Sequence, residues 1–228
     1  MPAARRSPKA PVANARSSLS EQAFGMLEEM IVTLQLPPGS LWSESMLSES
    51  LGIGRTPVRE ALQRLAEYHM VEILRRHGIR IAEVNEHEQL LVLETRRELE
   101  RLIAARAARR ASAAEKQMLA AMAQALLAAG KAGDVVELLR QYFAAKKFMA
   151  RCAGNRFSEQ AIAPLYTLSR RFYFMHHQEL DNLGEVARMH AELLRAVATG
   201  DEKAAVAACD RHIDYAESFT KRIITRDF

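Results

Sequence analysis

The sequence predicts a mainly α-helical protein in two parts: three short helices closed by a β-hairpin, then an all-helical bundle of about six helices. Apolar residues recur at three- and four-residue spacing over most of the 228 residues, as helices with one buried face require. Only between Val71 and Ile81 does the period fall to two, as in a hairpin. After residue 86, Gly and Pro are sparse except near 130–133, 154, 164, 184 and 200, which divides the second part into helices. The expected divisions are an arm at 1–18, a first domain at 19–84 and a second at 85–228.

Residues 1–18 hold three prolines and four basic residues without an acid, so a disordered, solvated basic arm is expected. From Leu19, the residues Phe24, Leu27, Ile31 and Leu34 mark one face of a first helix that Pro37-Pro38-Gly39 ends. Ser43 offers an N-cap for a second helix, in which Met46, Leu47, Ser50 and Leu51 share a face and Gly52 closes the last turn. Thr56 is the expected cap of a third helix, with Pro57 at its first position, where a missing N–H costs nothing. Val58, Ala61, Leu62 and Leu65 then form a stripe toward a core. Val71 and Ile73 face Ile79 and Ile81 across Arg75-Arg76-His77-Gly78, a hairpin with a basic tip. Three helices and such a wing make a winged helix-turn-helix.

Charge is distributed unevenly. Residues 19–53 carry five glutamates and no Lys or Arg, whereas 54–80 carry six arginines against three glutamates. Because net charge is only +4, position says more than the total. Arg55, Thr56, Arg59 and Gln63 line one exposed edge of the third helix, with Arg75, Arg76 and Arg80 of the wing beside it. A helix N-terminus disfavours cations by a few tenths to about 1 kcal/mol, while a bidentate arginine–guanine contact discriminates by about 1–3 kcal/mol. Placing arginines there is favourable when a polyanion arrives, as when a recognition helix enters the major groove. The alternative is that Arg55 and Arg59 pair with Glu49, Glu60 or other acids on a solvated surface.

Cys152 and Cys209 are far apart, which argues against a disulfide framework and a Cys-rich zinc site. Without an apolar run of about 18 residues or a signal-peptide core, a soluble protein of the reducing cytoplasm, away from membranes, is expected.

The stretch LPPGSLWSESMLSESLGIGRTPVREALQRLAEYHMVEILRRHGIRIAEV, residues 36–84, resembles the DNA-binding domain of GntR-family bacterial transcription regulators through its PPG, LG-x-x-RTPVREAL-x-RL and wing HG. The resemblance implies that Arg55, Thr56 and Arg59 contact operator DNA and that His77 and Gly78 reach the neighbouring minor groove. Gly54 stands where Ser or Thr is more usual, removing one hydroxyl contact to phosphate.

The second part resembles the FCD-type effector domain of the FadR subfamily through TRRELERLIAARAA (95–108), CAGN (152–155) and MHAELLRAVATGDEKAAVAACDRHI (189–213). Such domains commonly hold a divalent metal of zinc or nickel type through an Asp and a His four apart on one helix and two later His. His190 and His212 match the later pair, but the Asp and first-His positions are Tyr142 and Lys146. Zinc-type sites need three or four protein ligands, and an ammonium repels a dication. No metal is therefore expected, although His190 and His212 remain candidate ligands. Instead, Lys146 serves as a fixed cation that receives a small organic acid together with Arg96, Tyr142, His190 and His212. Arg96 matches an arginine facing this pocket in many relatives. In a plainer reading, Tyr142 and Lys146 are ordinary helix residues, Lys146 reaches solvent, and the two His are core or surface residues. His176 and His177 are expected at a helix end or in a loop.

The resemblance implies a homodimeric transcription regulator, typically a repressor, on a near-palindromic operator in double-stranded DNA. Two other classes are a DNA-binding protein without an effector and an enzyme using His190, His212 and Lys146 as acid–base groups.

Overall fold

The computed structural model describes residues 18–180 and 182–226, so the expected arm lies, apart from Ser18, outside the described residues. The elements run α1 (Leu19–Val32), β1 (Leu41–Trp42), α2 (Glu44–Leu51), α3 (Arg55–Glu67), β2 (Val71–Leu74) and β3 (Gly78–Ile81). They continue with α4 (Glu86–Arg110), α5 (Ala113–Ala132), α6 (Val135–Cys152), α7 (Arg156–Met175), α8 (Leu183–Thr199) and α9 (Glu202–Arg226). The chain is thus mainly α, a winged helix-turn-helix followed by an all-helical bundle, as the periodicities predict.

Ser18 caps α1 by accepting from the Glu21 amide, and Phe24, Leu27 and Ile31 are buried along it. Leu34 departs from the expected face: the helix stops at Val32, and Leu34 takes φ +60° in the following turn. Ser43 caps α2 through the Met46 amide, and Gly52 at φ +64° closes it. Of the expected α2 face only Leu47 is fully buried, whereas Met46 and Ser50 are exposed. This eight-residue helix packs chiefly on α3 and has only a narrow buried stripe.

Helix α3 begins two residues earlier than expected. Gly54 occupies the cap position without a side-chain hydrogen bond, Arg55 is the first helical residue, and Thr56 is not the cap. Pro57 is consequently third in the helix, still among the first amides that have no intrahelical acceptor. The stripe of Val58, Ala61, Leu62 and Leu65 is buried as expected.

The wing is three-stranded, in the order β1-β3-β2. Val71 pairs with Ile81 and Ile73 with Ile79, while the unpredicted β1 sets Leu41 against Arg80 and Trp42 against Ile79. Arg75, Arg76 and His77 form the turn, and Gly78, expected at the tip, opens β3. Gly78 has φ +91°, and a Cβ there would collide with the Trp42 carbonyl oxygen, so the base of the wing sits directly on β1.

In the bundle α4 lies along α9 and α5 along α8. Buried alanines such as Ala104, Ala107 and Ala208 allow close approach, and a Cβ on Gly130 would strike Ala187. Arg97 donates to Asp214 at 2.7 Å and Glu217 at 2.9 Å, and Arg101 to Asp210 at 2.6 Å, fixing the register of α4 on α9. His176 ends α7 and His177 begins a short 3-10 turn, as expected for helix-end residues.

Candidate functional site

Two clusters of polar residues stand out, one exposed and one buried. The first lies at the start of α3. Arg55, Thr56, Arg59 and Gln63 are all exposed, as are Arg75, Arg76 and His77 at the wing turn. Arg59 is engaged: its Nε donates to Glu44 Oε1 at 3.0 Å and its Nη2 to Oε2 at 2.7 Å. The hydrogen bond from Arg59 holds the Glu44 carboxyl below its ordinary value. Arg59 thus pairs with an acid, and the partner is Glu44 rather than Glu49 or Glu60. Sequence reasoning missed Glu44, because it lies fifteen residues from Arg59 and only the helix-turn-helix crossing brings them together. On the wing, Arg80 pairs across the strands with Glu72 at 3.0 Å.

These parts are mechanically joined. Gly78 rests on the Trp42 carbonyl, Ser43 caps α2, and Glu44, the first residue of α2, grips Arg59. A shift of the wing base therefore bears on the arginine of α3 through three consecutive residues.

The second cluster is buried in the bundle and draws on four helices: Arg96 and Glu100 from α4, Tyr142 and Lys146 from α6, His190 from α8 and His212 from α9. Arg96 and Glu100 are both fully buried and paired at 2.6 Å. The Lys146 ammonium also donates to Glu100. Lys146 does not reach solvent, being 2% exposed, nor is it a free cation, because Glu100 already neutralises it. Glu100 escaped sequence reasoning, although its i,i+4 spacing from Arg96 on one helix was a usable signal.

Arg96 Nη2 donates to the Tyr142 hydroxyl at 3.0 Å, and that hydroxyl lies 2.9 Å from His212 Nε2. The hydroxyl has one proton and room for a second acceptance, so it either donates to Nε2, with the proton of a neutral His212 on Nδ1, or accepts from an Nε2 that carries that proton. Glu100 Oε2 is 3.9 Å from that Nδ1. The His190 ring stacks on Tyr142 with centroids 4.0 Å apart. Burial, then the charges of Lys146 and Arg96, hold both imidazoles well below their ordinary pKa, so they are neutral near pH 7. Burial pushes the Glu100 carboxyl up, but Arg96 and Lys146 outweigh it and keep it ionised. Burial likewise opposes the Arg96 charge, and Glu100 more than restores it.

A cavity of about 20 Å³, room for about one water, borders this cluster. Tyr142, His190, His212, Tyr173 and Tyr215 form its polar wall, and Leu138, Leu139, Leu180, Val186 and Ala216 its apolar one.

Between the two clusters, Glu28 of α1 is buried at the junction with the bundle. It accepts from Thr167 Oγ1 at 2.5 Å and from Lys147 Nζ at 3.3 Å. Nearby, Arg171 donates to the Ala82 carbonyl at 2.5 Å, and burial pushes its pKa down to about 10.

Residues 19–81 match the family described as bacterial regulatory proteins, gntR family, and residues 89–215, over half the chain, match the FCD domain. The chain belongs to the GntR family and carries an FCD domain. Over 59 residues this GntR protein is 42% identical to the HTH-type transcriptional regulator Mce2R of Mycobacterium tuberculosis, covering 25% of each chain. It is 41% identical over 59 residues to an HTH-type transcriptional regulator in an unstable DNA locus of Streptomyces ambofaciens, covering 26% of this chain and 25% of that one. The match thus spans about a quarter of the length of these curated relatives. Its fold resembles that of E. coli McbR/YncC, with a TM-score of 0.80 at 20% identity over 91% of this chain and 99% of that one. A GntR structure from Rhodococcus sp. RHA1 gives a TM-score of 0.68 at 18% identity, over 90% and 98%. At these identities the likeness is one of fold.

The divalent metal implied by the FCD resemblance does not fit the donors of this chain. The Lys146 ammonium stands among them on Glu100, and His212 Nε2 is taken by the Tyr142 hydroxyl. Among the described residues no group of three or more His, Cys, Asp or Glu is arranged to hold a metal ion.

Proposed function

We propose that this chain is a sequence-specific DNA-binding transcription regulator that acts as a homodimer in the cytoplasm and answers to a small organic acid. Residues 19–84 form the DNA-binding domain and residues 85–228 the effector-binding and dimerisation domain. The observation that carries the reading is the exposed edge of Arg55, Thr56, Arg59 and Gln63 at the mouth of α3, in the segment matching the GntR family. There the amides and dipole of a helix start favour phosphate, and guanidinium forks can read guanine. Arg75, Arg76 and His77 extend the basic face into the adjacent groove, with Gly78 allowing the turn.

The acid is received at the buried cluster by Arg96, Lys146, Tyr142, His190 and His212. Because the cavity holds about one water, the acid binds only a state in which the walls have parted, and its differential affinity drives the change. Helix α6 presents Lys146 to the cluster and the next residue, Lys147, to Glu28. Arg96 lies over the Tyr166 ring at 5.2 Å, and the next residue, Thr167, donates to Glu28. Movement at the cluster thus converges on Glu28 of α1, which packs against α3. Coupling of this kind is typically worth about 1–3 kcal/mol. Membership of a family of regulators weighs against catalysis by the same histidines, and none of the described helices is long and apolar enough to cross a membrane.

Selection of duplexes from a random pool by the full-length protein tests the reading. Enrichment of one near-palindromic sequence is expected, and failure of any sequence to enrich contradicts it.

A further inference from the structure

We infer that the buried cluster is built for a single monoanionic group carried on an apolar body and held without a metal ion. The inference rests on the effector reading above and assigns the chemistry of its ligand. Arg96 and Lys146 bring two positive charges to the site, and Glu100 alone opposes them. The two imidazoles are neutral, so one net positive charge lies in a region where Arg96, Glu100 and Lys146 are at most 2% exposed. A buried charge without a counter-ion is costly, and one negative charge removes that cost.

Unpaired polar atoms accompany the charge: the Arg96 N–H and Tyr173 O–H are donors in any state, and each Nδ1 is a donor in one tautomer of its neutral ring. Arg96 Nη1, His190 Nδ1, His212 Nδ1 and the Tyr173 hydroxyl are buried and find no hydrogen-bond partner among the described residues. His190, His212, Tyr173 and Tyr215 line the cavity, whose other wall is Leu138, Leu139, Leu180, Val186 and Ala216. An anionic head can meet the donors while the remainder of the ligand contacts these aliphatic side chains. A second charge or a run of hydroxyls on that remainder would be buried against them unpaired. A dianionic head would reverse the net charge instead of cancelling it.

The test keeps the tail constant and varies the head. Full-length protein, kept in chelator, is titrated calorimetrically with octanol, octanoate and octyl phosphate, the last carrying about −1.5 to −2 at neutral pH. Octanoate is expected to bind one per chain, at least about tenfold tighter than either of the others. Suberate, the same chain with a carboxylate at each end, is expected to bind at least about tenfold more weakly than octanoate. In Glu100→Gln the preference moves to octyl phosphate, and in Lys146→Met to octanol, because each substitution changes the buried charge by one. Should either variant fail to fold, the wild-type ranking decides alone. Preference of the wild type for octyl phosphate or suberate, or binding abolished by chelator and restored by zinc, overturns the inference while leaving an acid effector in place. Absence of binding by every probe, with binding to a selected operator intact, removes the effector reading itself.

Discussion

Glu44 holds Arg59 in a forked pair, accepting from Nε at 3.0 Å and from Nη2 at 2.7 Å, so the arginine at the mouth of α3 is oriented before any DNA arrives. Arg59 is 59% and Glu44 30% exposed, and a solvent-screened pair of this kind contributes little to folding. Its consequence is therefore sought in DNA recognition. With Glu44→Gln, an acid is removed from the phosphate-facing surface and the guanidinium loses its guide. Affinity for scrambled duplex is expected to rise and the ratio of operator to scrambled affinity to fall. Fluorescence anisotropy at two salt concentrations checks this, and an unchanged ratio contradicts it.

Glu28 is one point at which the bundle holds α1, beside the Arg170–Glu29 pair. Thr167→Val removes a buried hydrogen bond to its carboxylate, and a cost of about 1–3 kcal/mol in stability is expected by urea denaturation. In Lys147→Met, whose side chain is partly exposed, folding is expected to change little while the effect of the acid on operator affinity shrinks. Retention of the full effect in both variants would show that coupling bypasses this junction.

Gly78 ties the wing to β1. Gly78→Ala introduces a side chain at φ +91° against the Trp42 carbonyl, and a loss of about 1–3 kcal/mol is expected, with weaker operator binding. Trp42 is the only tryptophan of the chain, so its fluorescence reports on this contact without background. An unaltered emission spectrum and melting curve in the variant would contradict the contact.

The thiols of Cys152 and Cys209 are both buried, and burial pushes their pKa to about 11 and about 12. Neither is expected to react with a disulfide reagent at pH 8 until the protein unfolds, whereupon both react. Rapid stoichiometric labelling of native protein would contradict that burial.

The core stripe of α3 and the β2–β3 hairpin were readable because each carries a local period, although on β2 only Val71 of the apolar pair is buried and Ile73 is exposed. Strand β1 was not: two residues carry no period, and Leu41 and Trp42 become a strand only because β3 lies beside them. The expected start of α3 lies two residues late because Thr56 has the chemistry of a cap, whereas the chain turns at Gly54. Arg96, Tyr142, Lys146, His190 and His212 come from four helices, and family resemblance, not periodicity, grouped them. Glu100 was within reach of a helical spacing rule. The Glu28–Thr167 contact spans 139 residues and exists only once the two parts dock.

The central claim is that the cationic mouth of α3 reads the duplex. Anisotropy titration of a selected operator with the Arg55→Gln, Arg59→Gln double variant tests it most directly, with circular dichroism confirming the fold. Binding is expected to weaken by at least about tenfold, with loss of preference over scrambled duplex. Wild-type affinity and wild-type preference in the double variant would contradict the claim.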